Sequence, residues 1–296
     1  MPLDPLTSLA SITRELEAGW KLFDDVYGSF DARQWAKKFG KTWTYAEQPY
    51  HLAYFDATLA TYAALGDRAP ADRLHLRSMG ELNEWNRREL AKRAPNHTVA
   101  DSLAAMRESR DAIRRFIRGI TDPQLEDRAW MPLIFGWATV GDVLRAIIVH
   151  NVAEYWKLWI RTGKRSPAPS PDAVHLRLDF MMNFMPATLN RDLAAKKPFV
   201  VTWDFVGPGG GAWTFNVANG ACTISRSRPP RTDLTITMAP ETFHKLIAKM
   251  TPPPLLMLTG QMKVKGFGAM GTFAKMFPEP RPDQLIEPRL GASAMG

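Results

Sequence analysis

Apolar residues recur every three to four positions in the first half of the chain, which predicts long amphipathic α-helices. Pro49 suits the first turn of the second helix, and Thr139 suits the N-cap of the fourth. Together these helices predict a helical bundle. Apolar stripes run from Leu9 to Val26, from Leu52 to Tyr62 and from Val143 to Leu158. The third long helix is predicted to begin at a cap, Thr98 or Asp101, and to end near Gly119, and a shorter helix covers residues 81–92.

The pattern changes at a proline-rich segment that contains Pro167, Pro169 and Pro171. Alternating prolines favour a short, stiff linker and stop a helix. Beyond it, alternation with period two appears, which indicates strands. The sequence therefore predicts a helical domain over residues 1–165, a linker over 166–171, a second domain over 172–278, and a loosely held tail over 279–296.

The second domain is predicted to be α+β, an antiparallel sheet with helices on one face. A first helix covers Asp172–Asn190, and Pro240 begins another that extends to Met250, where Pro252–Pro254 end it. Asn219-Gly220 is a strong hairpin signal between two strands. The predicted strands are Phe199–Phe205, Trp213–Val217, Ala221–Ser225, Leu234–Met238 and Met262–Val264, and a last helix carries Met270, Phe273 and Met276.

The distribution of charge along the chain bears on nucleic-acid binding. The 296 residues include 38 Lys and Arg against 30 Asp and Glu, a net charge of +8. Residues 1–166 hold 24 basic and 21 acidic residues (+3), and residues 167–296 hold 14 and 9 (+5). Because the excess is spread over the chain without a basic block, we expect no nucleic-acid partner.

Cys222 is the single cysteine, which excludes an intramolecular disulfide and fits a reducing, cytoplasmic compartment. No apolar run approaches the ~18 residues of a membrane span, so we expect no stable membrane insertion. The first residues lack a basic region, so we expect no secretory signal.

Three polar residues interrupt the predicted apolar stripes. His150 and Glu154 are four apart on the fourth helix and project from one face, and His51 opens the inward stripe of the second helix. Buried polar groups are costly unless they are paired, hydrogen-bonded or bound to a metal. Two imidazoles and a carboxylate from facing helices would form a three-ligand metal site. The alternative is an ordinary His–Glu pair and a hydrogen-bonded core histidine.

Glu47 lies four residues before His51. Its carboxylate would either orient His51 behind the metal or cap the helix, and the sequence favours neither.

Tyr50–Ala53, Leu82–Asn86 and Thr139–Glu154 resemble segments of the DinB-like four-helix superfamily, including its branch of mycothiol-dependent isomerases. The resemblance covers the predicted helical domain and implies an up-down four-helix bundle. Members commonly bind a divalent metal, Zn, Ni, Mn or Fe among the candidates, with one His on the second helix and a pair four apart on the fourth. His51 and His150 match that arrangement, and Glu154 stands where many members have a second His.

Gly211–Val217, Asp233–Met238 and Gly260–Gly266 resemble the sterol-carrier-protein (SCP) domain. That resemblance implies a five-stranded sheet with helices over one face and an apolar cavity for lipids or other hydrophobic molecules. Ten of the 14 methionines follow residue 166, which fits either core packing or an adaptable apolar pocket. The predicted pocket residues are Trp213, Phe215, Ile236, Phe243, Leu246 and Met270.

Two functions follow from the combination. The leading hypothesis is a metal-dependent isomerase or transferase acting on a small organic or hydrophobic substrate, with a low-molecular-weight thiol as cosubstrate and the SCP-like domain shaping or feeding the site. The competing hypothesis is a non-catalytic carrier of lipids with a degenerate metal site, which the departure at Glu154 favours. The sequence leaves open the substrate, the metal, the thiol and whether the chain forms a homodimer.

Overall fold

The computed structural model describes residues 6–39, 43–163 and 166–286. The chain folds into two compact units. Unit 1 ends at Pro169 but also includes the segment that begins at Arg281, and unit 2 runs from Ser170 to Pro280. None of the helices in the described part of the chain is long and apolar enough to cross a membrane.

Unit 1 is mainly helical, with two small antiparallel hairpins, and its four longest helices carry the predicted stripes. Its elements are α1 (Leu9–Tyr27), α2 (Ala32–Ala36), β1 (Lys38–Phe39), β2 (Trp43–Thr44), α3 (Gln48–Leu65), α4 (Met79–Ala91), α5 (Val99–Arg118), β3 (Arg128–Met131), β4 (Gly136–Thr139) and α6 (Val140–Arg161). Helix α3 packs on α5 and α6, and α1 packs on α6.

Hydroxyl caps fix the starts of two of these helices. The Thr98 side chain accepts a hydrogen bond from the Asp101 amide at 3.2 Å, and the Thr139 side chain accepts one from the Asp142 amide at 3.1 Å. Both are complete capping boxes, in which the acidic residue also accepts from the N-cap amide. Thr98 is therefore the N-cap of α5, and Asp101 completes the box.

Unit 2 contains a five-stranded sheet in the order β7-β6-β5-β8-β9. The predicted antiparallel sheet is wrong at one point: β8 pairs parallel with β5, as Val201 opposite Leu234 shows, so the sheet is mixed. Its elements are α7 (Pro171–Phe184), α8 (Arg191–Lys196), β5 (Phe199–Phe205), β6 (Gly211–Ala218), β7 (Ala221–Ser225), β8 (Leu234–Met238), α9 (Pro240–Ile247), α10 (Pro253–Leu258), β9 (Met262–Lys265) and α11 (Met270–Met276).

Three predicted helix boundaries in unit 2 differ from the structure, two of them at prolines. The first helix ends at Phe184 rather than Asn190, because Pro186 lacks an amide hydrogen and a 3-10 turn follows. Helix α9 ends at Ile247, before Met250. The prolines that were expected only to end it begin α10 instead, since proline is well suited to a first helical turn.

One face of the sheet is apolar and packs against helices. The Phe243 ring of α9 lies 5.4 Å from Trp203 and 5.1 Å from Phe205, and Phe273 of α11 lies 5.8 Å from Trp203. Large buried apolar side chains occupy every second position along β5 and β6, as period-two patterning requires. On this face lie Val201, Trp203 and Phe205 of β5 and Trp213, Phe215 and Val217 of β6.

Residues 281–286, which we call the C-terminal strap, return to unit 1. The Gly80 amide donates to the Pro282 carbonyl and the Ile286 amide donates to the Arg77 carbonyl, both at 2.7 Å. Ile286 is 2% exposed. The expectation of a loose tail is therefore wrong for the strap, and the rest of the predicted tail beyond it lies outside the described residues.

Candidate metal centre

Helices α3 and α6 bring the three predicted ligands together. His51 lies in the first turns of α3, and His150 and Glu154 lie one turn apart on α6. The Asn151 side chain donates to Asp56 at 2.9 Å, which ties the two helices beside the histidines. One ligand atom from each of His51, His150 and Glu154 lies within 4.8 Å of the others, and we call these three residues the metal cluster.

The two imidazoles meet through their Nε2 atoms, which are 3.1 Å apart. His51 is 3% exposed, and the His150 side chain is 11% exposed. If one Nε2 carries a proton, the two imidazoles form a hydrogen bond; if neither does, both nitrogens can bind a metal. The hydrogen-bond partner of each Nδ1 determines which nitrogen of that ring is protonated.

The Nδ1 partners assign both tautomers. Tyr54 donates its hydroxyl hydrogen to Asn86 Oδ1 at 3.0 Å, so at 2.7 Å it can only accept from His51 Nδ1. His150 Nδ1 lies 3.3 Å from Asp56 Oδ1 and must donate, because a carboxylate only accepts. When both rings are neutral, these tautomers leave lone pairs on the two Nε2 atoms, which face each other and repel unless a cation lies between them.

Glu154 supplies the third donor. Its Oε1 accepts from the Lys157 ammonium, while its Oε2 is buried without a hydrogen-bond partner among the described residues. Burial raises the pKa of Glu154, but Lys157 and the two imidazoles outweigh burial and hold the pKa at about 2. Glu154 is therefore ionised, with one buried oxygen that lacks a donor or a cation.

Burial also sets the charge of His51. The pKa of its imidazole lies well below the usual value, because burial and the neighbouring His150 disfavour the protonated form. A neutral imidazole with a free Nε2 is the form that binds metals. Two such nitrogens and a carboxylate oxygen are a donor set used by catalytic divalent-metal sites, so the residues present fit a metal.

Aromatic rings hold the two imidazoles in place. Phe55 stacks on His150 with ring centroids 3.6 Å apart and planes 13° apart. Trp43 contacts His51 at a centroid distance of 4.3 Å. The Trp85 ring lies 5.7 Å from Phe55. Because the rings and the Nδ1 partners fix both imidazoles, the cluster is preorganised.

The Glu47 side chain forms its hydrogen bonds in the turn before α3 and with Arg93. Its Oε2 accepts from the Thr44 amide at 2.6 Å, which closes the turn that leads into α3, and its Oε1 pairs with Arg93. Glu47 thereby completes the capping box of the 3-10 turn Tyr45–Glu47, and it is the N-cap residue of α3 without a side-chain cap hydrogen bond to that helix. The residue behind His51 is instead Tyr54, one turn further along the same helix.

The six predicted pocket residues lie on the apolar face of the unit 2 sheet and on the helices α9 and α11. Trp213 and Phe215 are 0% exposed, and Ile236 and Phe243 are 2% exposed. Leu246 and Met270 are half-buried. Buried aromatic rings surround the first group, so these residues form a packed core, and a ligand cavity among them stays a prediction.

Comparison with known proteins follows the division into units. Residues 15–156 match the family model of the DinB superfamily, and residues 168–286 match that of the alkyl sulfatase C-terminal domain. No curated protein sequence matches the chain significantly.

Among solved structures, a mycothiol-dependent maleylpyruvate isomerase has a TM-score of 0.50 at 10% identity, over 80% of this chain and 87% of that chain. A stereoselective inverting sec-alkylsulfatase from Pseudomonas sp. has a TM-score of 0.32 at 15% identity, over 77% of this chain and 45% of that chain. Sterol carrier protein 2 from Yarrowia lipolytica has a TM-score of 0.27 at 15% identity, over 36% of this chain and 93% of that chain. The chain spans only about half of the alkylsulfatase chains that it matches, 55% and 45%. The isomerase shares the fold, and the DinB superfamily model matches residues 15–156 of this chain.

Proposed function

We propose that this chain is a metal-dependent enzyme whose divalent metal is held by His51, His150 and Glu154. The observation that carries the proposal is the convergence of two imidazole nitrogens and one carboxylate oxygen. The two Nε2 atoms are 3.1 Å apart, both Nδ1 atoms are occupied by hydrogen-bond partners, and a carboxylate oxygen of Glu154 has no donor among the described residues. A divalent cation would relieve the repulsion among these atoms and satisfy each of them.

The bound metal would supply a Lewis acid that polarises a carbonyl or lowers the pKa of a thiol or a water. The protein's own part is orientation. Asp56 and Tyr54 keep the Nδ1 protons of His150 and His51, which holds both Nε2 atoms ready to bind. Lys157 neutralises one oxygen of Glu154 and leaves the other to the metal.

For the reaction, we propose an isomerase or transferase that acts on a small organic or hydrophobic substrate with a low-molecular-weight thiol. This rests on the match of residues 15–156 to the DinB superfamily model and on the mycothiol dependence in the name of the isomerase that shares the fold. The proposal also treats α1, α3, α5 and α6 as an up-down four-helix bundle. The lone Cys222 supports a cytoplasmic location.

A separate observation favours hydrophobic-ligand binding by unit 2. The Trp203 ring is 3% exposed on the apolar face of the sheet, and its Nε1 is buried without a hydrogen-bond partner among the described residues. An apolar ligand with one acceptor atom, such as a fatty acid or an ester, would satisfy that donor. This second function would add to the enzymatic one and does not replace it.

Metal analysis tests the enzymatic proposal. We expect about one divalent metal per chain in the purified protein, lost in a His51→Ala/His150→Ala variant and kept in the control His175→Ala, which changes a histidine of unit 2. Zn²⁺, Ni²⁺, Mn²⁺ or Fe²⁺ should raise the melting temperature of the metal-free protein. Absence of metal together with an unchanged melting temperature would refute the proposal.

Native mass spectrometry tests the second function. The full chain should carry a co-purified hydrophobic molecule, and Trp203→Phe should reduce its occupancy because phenylalanine keeps the ring packing but lacks the donor. An empty protein, or equal occupancy in both, would count against a ligand at Trp203.

A further inference from the structure

Helix α4 contacts Tyr54 and Phe55, the two residues that hold the imidazoles of the metal cluster, but it is only lightly anchored itself. Within α4, which lies wholly in the described part of the chain, only Trp85 is buried. The Trp85 ring packs on Tyr54 at 5.3 Å and on Phe55 at 5.7 Å, and Asn86 accepts from the Tyr54 hydroxyl. Because Tyr54 holds His51 and Phe55 stacks on His150, the position of α4 affects both imidazoles.

The C-terminal strap completes the N-terminus of α4. The first amides of a helix have no acceptor within the helix. The Ser78 side chain accepts from the Glu81 amide at 3.1 Å, and the Pro282 carbonyl of the strap accepts from the Gly80 amide at 2.7 Å. The strap therefore supplies a cap that the local sequence of α4 does not.

Close packing at Gly80 makes this contact specific. A Cβ at this position would lie 2.7 Å from the Pro282 carbonyl oxygen, closer than real Cβ atoms approach other atoms. Ile286 holds the other end of the strap, with 2% exposure and a hydrogen bond to the Arg77 carbonyl. Gly80 therefore allows the close approach of Pro282, and buried Ile286 anchors the strap to unit 1.

We infer that the C-terminal strap is a positioning element of the metal cluster. It seats α4, and α4 in turn holds, through Trp85 and Asn86, the two rings that orient His51 and His150. The inference rests on the proposed function, since it concerns affinity for the metal. Because coupling between two sites is reciprocal, metal binding must also hold the strap more firmly.

Two substitutions in the full chain disturb the strap from opposite sides. Gly80→Ala inserts a methyl group against Pro282, while alanine is the better helix former, so a weakened helix cannot explain a loss. Ile286→Ala removes buried strap contacts. Leu285→Ala is the matched control, because Leu285 belongs to the same strap but is 50% exposed.

Chelator competition with Zn²⁺ and amide hydrogen exchange measure the coupling. We expect Gly80→Ala and Ile286→Ala to weaken Zn²⁺ binding at least about fivefold, and Leu285→Ala to leave it within about twofold. In the wild type, Zn²⁺ should slow exchange of the Gly80 and Ile286 amides by a similar factor. If Ile286→Ala fails to fold, Gly80→Ala decides.

The outcomes separate the two ideas. The inference would be overturned if wild type and the folded strap variants bound Zn²⁺ equally well and the metal left amide exchange at Gly80 and Ile286 unchanged. That result would leave the proposed function intact. A wild type that binds no divalent metal would overturn both.

Discussion

The substitution Tyr54→Phe isolates the tautomer argument. It removes the hydrogen bond from His51 Nδ1 at 2.7 Å and the one to Asn86 at 3.0 Å. His51 can then move its proton to Nε2 and donate to His150 Nε2, 3.1 Å away. At about 1 kcal/mol for each hydrogen bond, two lost and one gained, the metal-free protein should lose only about 1 kcal/mol of stability.

Metal affinity should fall much more. The new imidazole–imidazole hydrogen bond occupies both ligand nitrogens, and the loss of an outer partner of a metal-binding His typically costs 10- to 100-fold, or about 1.4–2.8 kcal/mol. The Zn²⁺ dissociation constant is measured by competition with a chelator, beside urea unfolding of the metal-free protein. Tyr62→Phe is the control, because that hydroxyl also has a hydrogen bond, from the Leu74 amide at 2.7 Å, on the same helix. Equal Zn²⁺ affinity in wild type and Tyr54→Phe would refute the assigned tautomers.

Three further predictions follow from single residues. Because the pKa of Glu154 falls from 4.5 to about 2 on folding, the metal-free protein should lose on the order of 3 kcal/mol of folding stability as the pH drops through that window. Glu154→Gln should lack this loss, and identical denaturation profiles at pH 3 and pH 6 in both proteins would contradict the prediction. Burial raises the pKa of Cys222 to about 12, so at pH 8 a thiol reagent should label the folded protein far more slowly than the urea-unfolded protein, and equal rates would argue against burial. Gly266→Ala should lower the free energy of unfolding by about 2–4 kcal/mol, because Gly266 has φ +81° and a Cβ there would lie 2.1 Å from the Asp233 carbonyl oxygen. The control Gly268→Ala, with open space around it, should change stability by less than about 0.5 kcal/mol in the same thermal unfolding experiment.

Local signals in the sequence predicted the elements of this fold well. Thr98 and Thr139 cap their helices as hydroxyl side chains should, and the Asn219-Gly220 turn joins β6 to β7. What local patterns could not predict is pairing between distant segments. The parallel register of β5 and β8 joins Val201 to Leu234 across an intervening hairpin, and no turn residue encodes that choice.

The same distinction applies to the candidate metal centre. His51, His150 and Glu154 could be found from the sequence because each interrupts an apolar stripe, and the structure brings them together. Asp56 could not be found in this way. Because α3 is buried over a wide arc, its apolar positions form no narrow stripe that a polar residue would interrupt. Asn86 lies in a segment that carried the family resemblance, but only the fold shows that it meets Tyr54.

The C-terminal strap also has a consequence for the order in which the chain matures. The ribosome completes the metal cluster and α4 first, then all of unit 2 up to Pro280, and only then the strap that caps α4. Domains generally fold as they emerge, so unit 1 must begin folding without one of its own segments. In the sequence, unit 2 is inserted between the two parts of unit 1 and is the covalent connection between them. Tight metal retention should therefore appear late in synthesis, after unit 2 has been made.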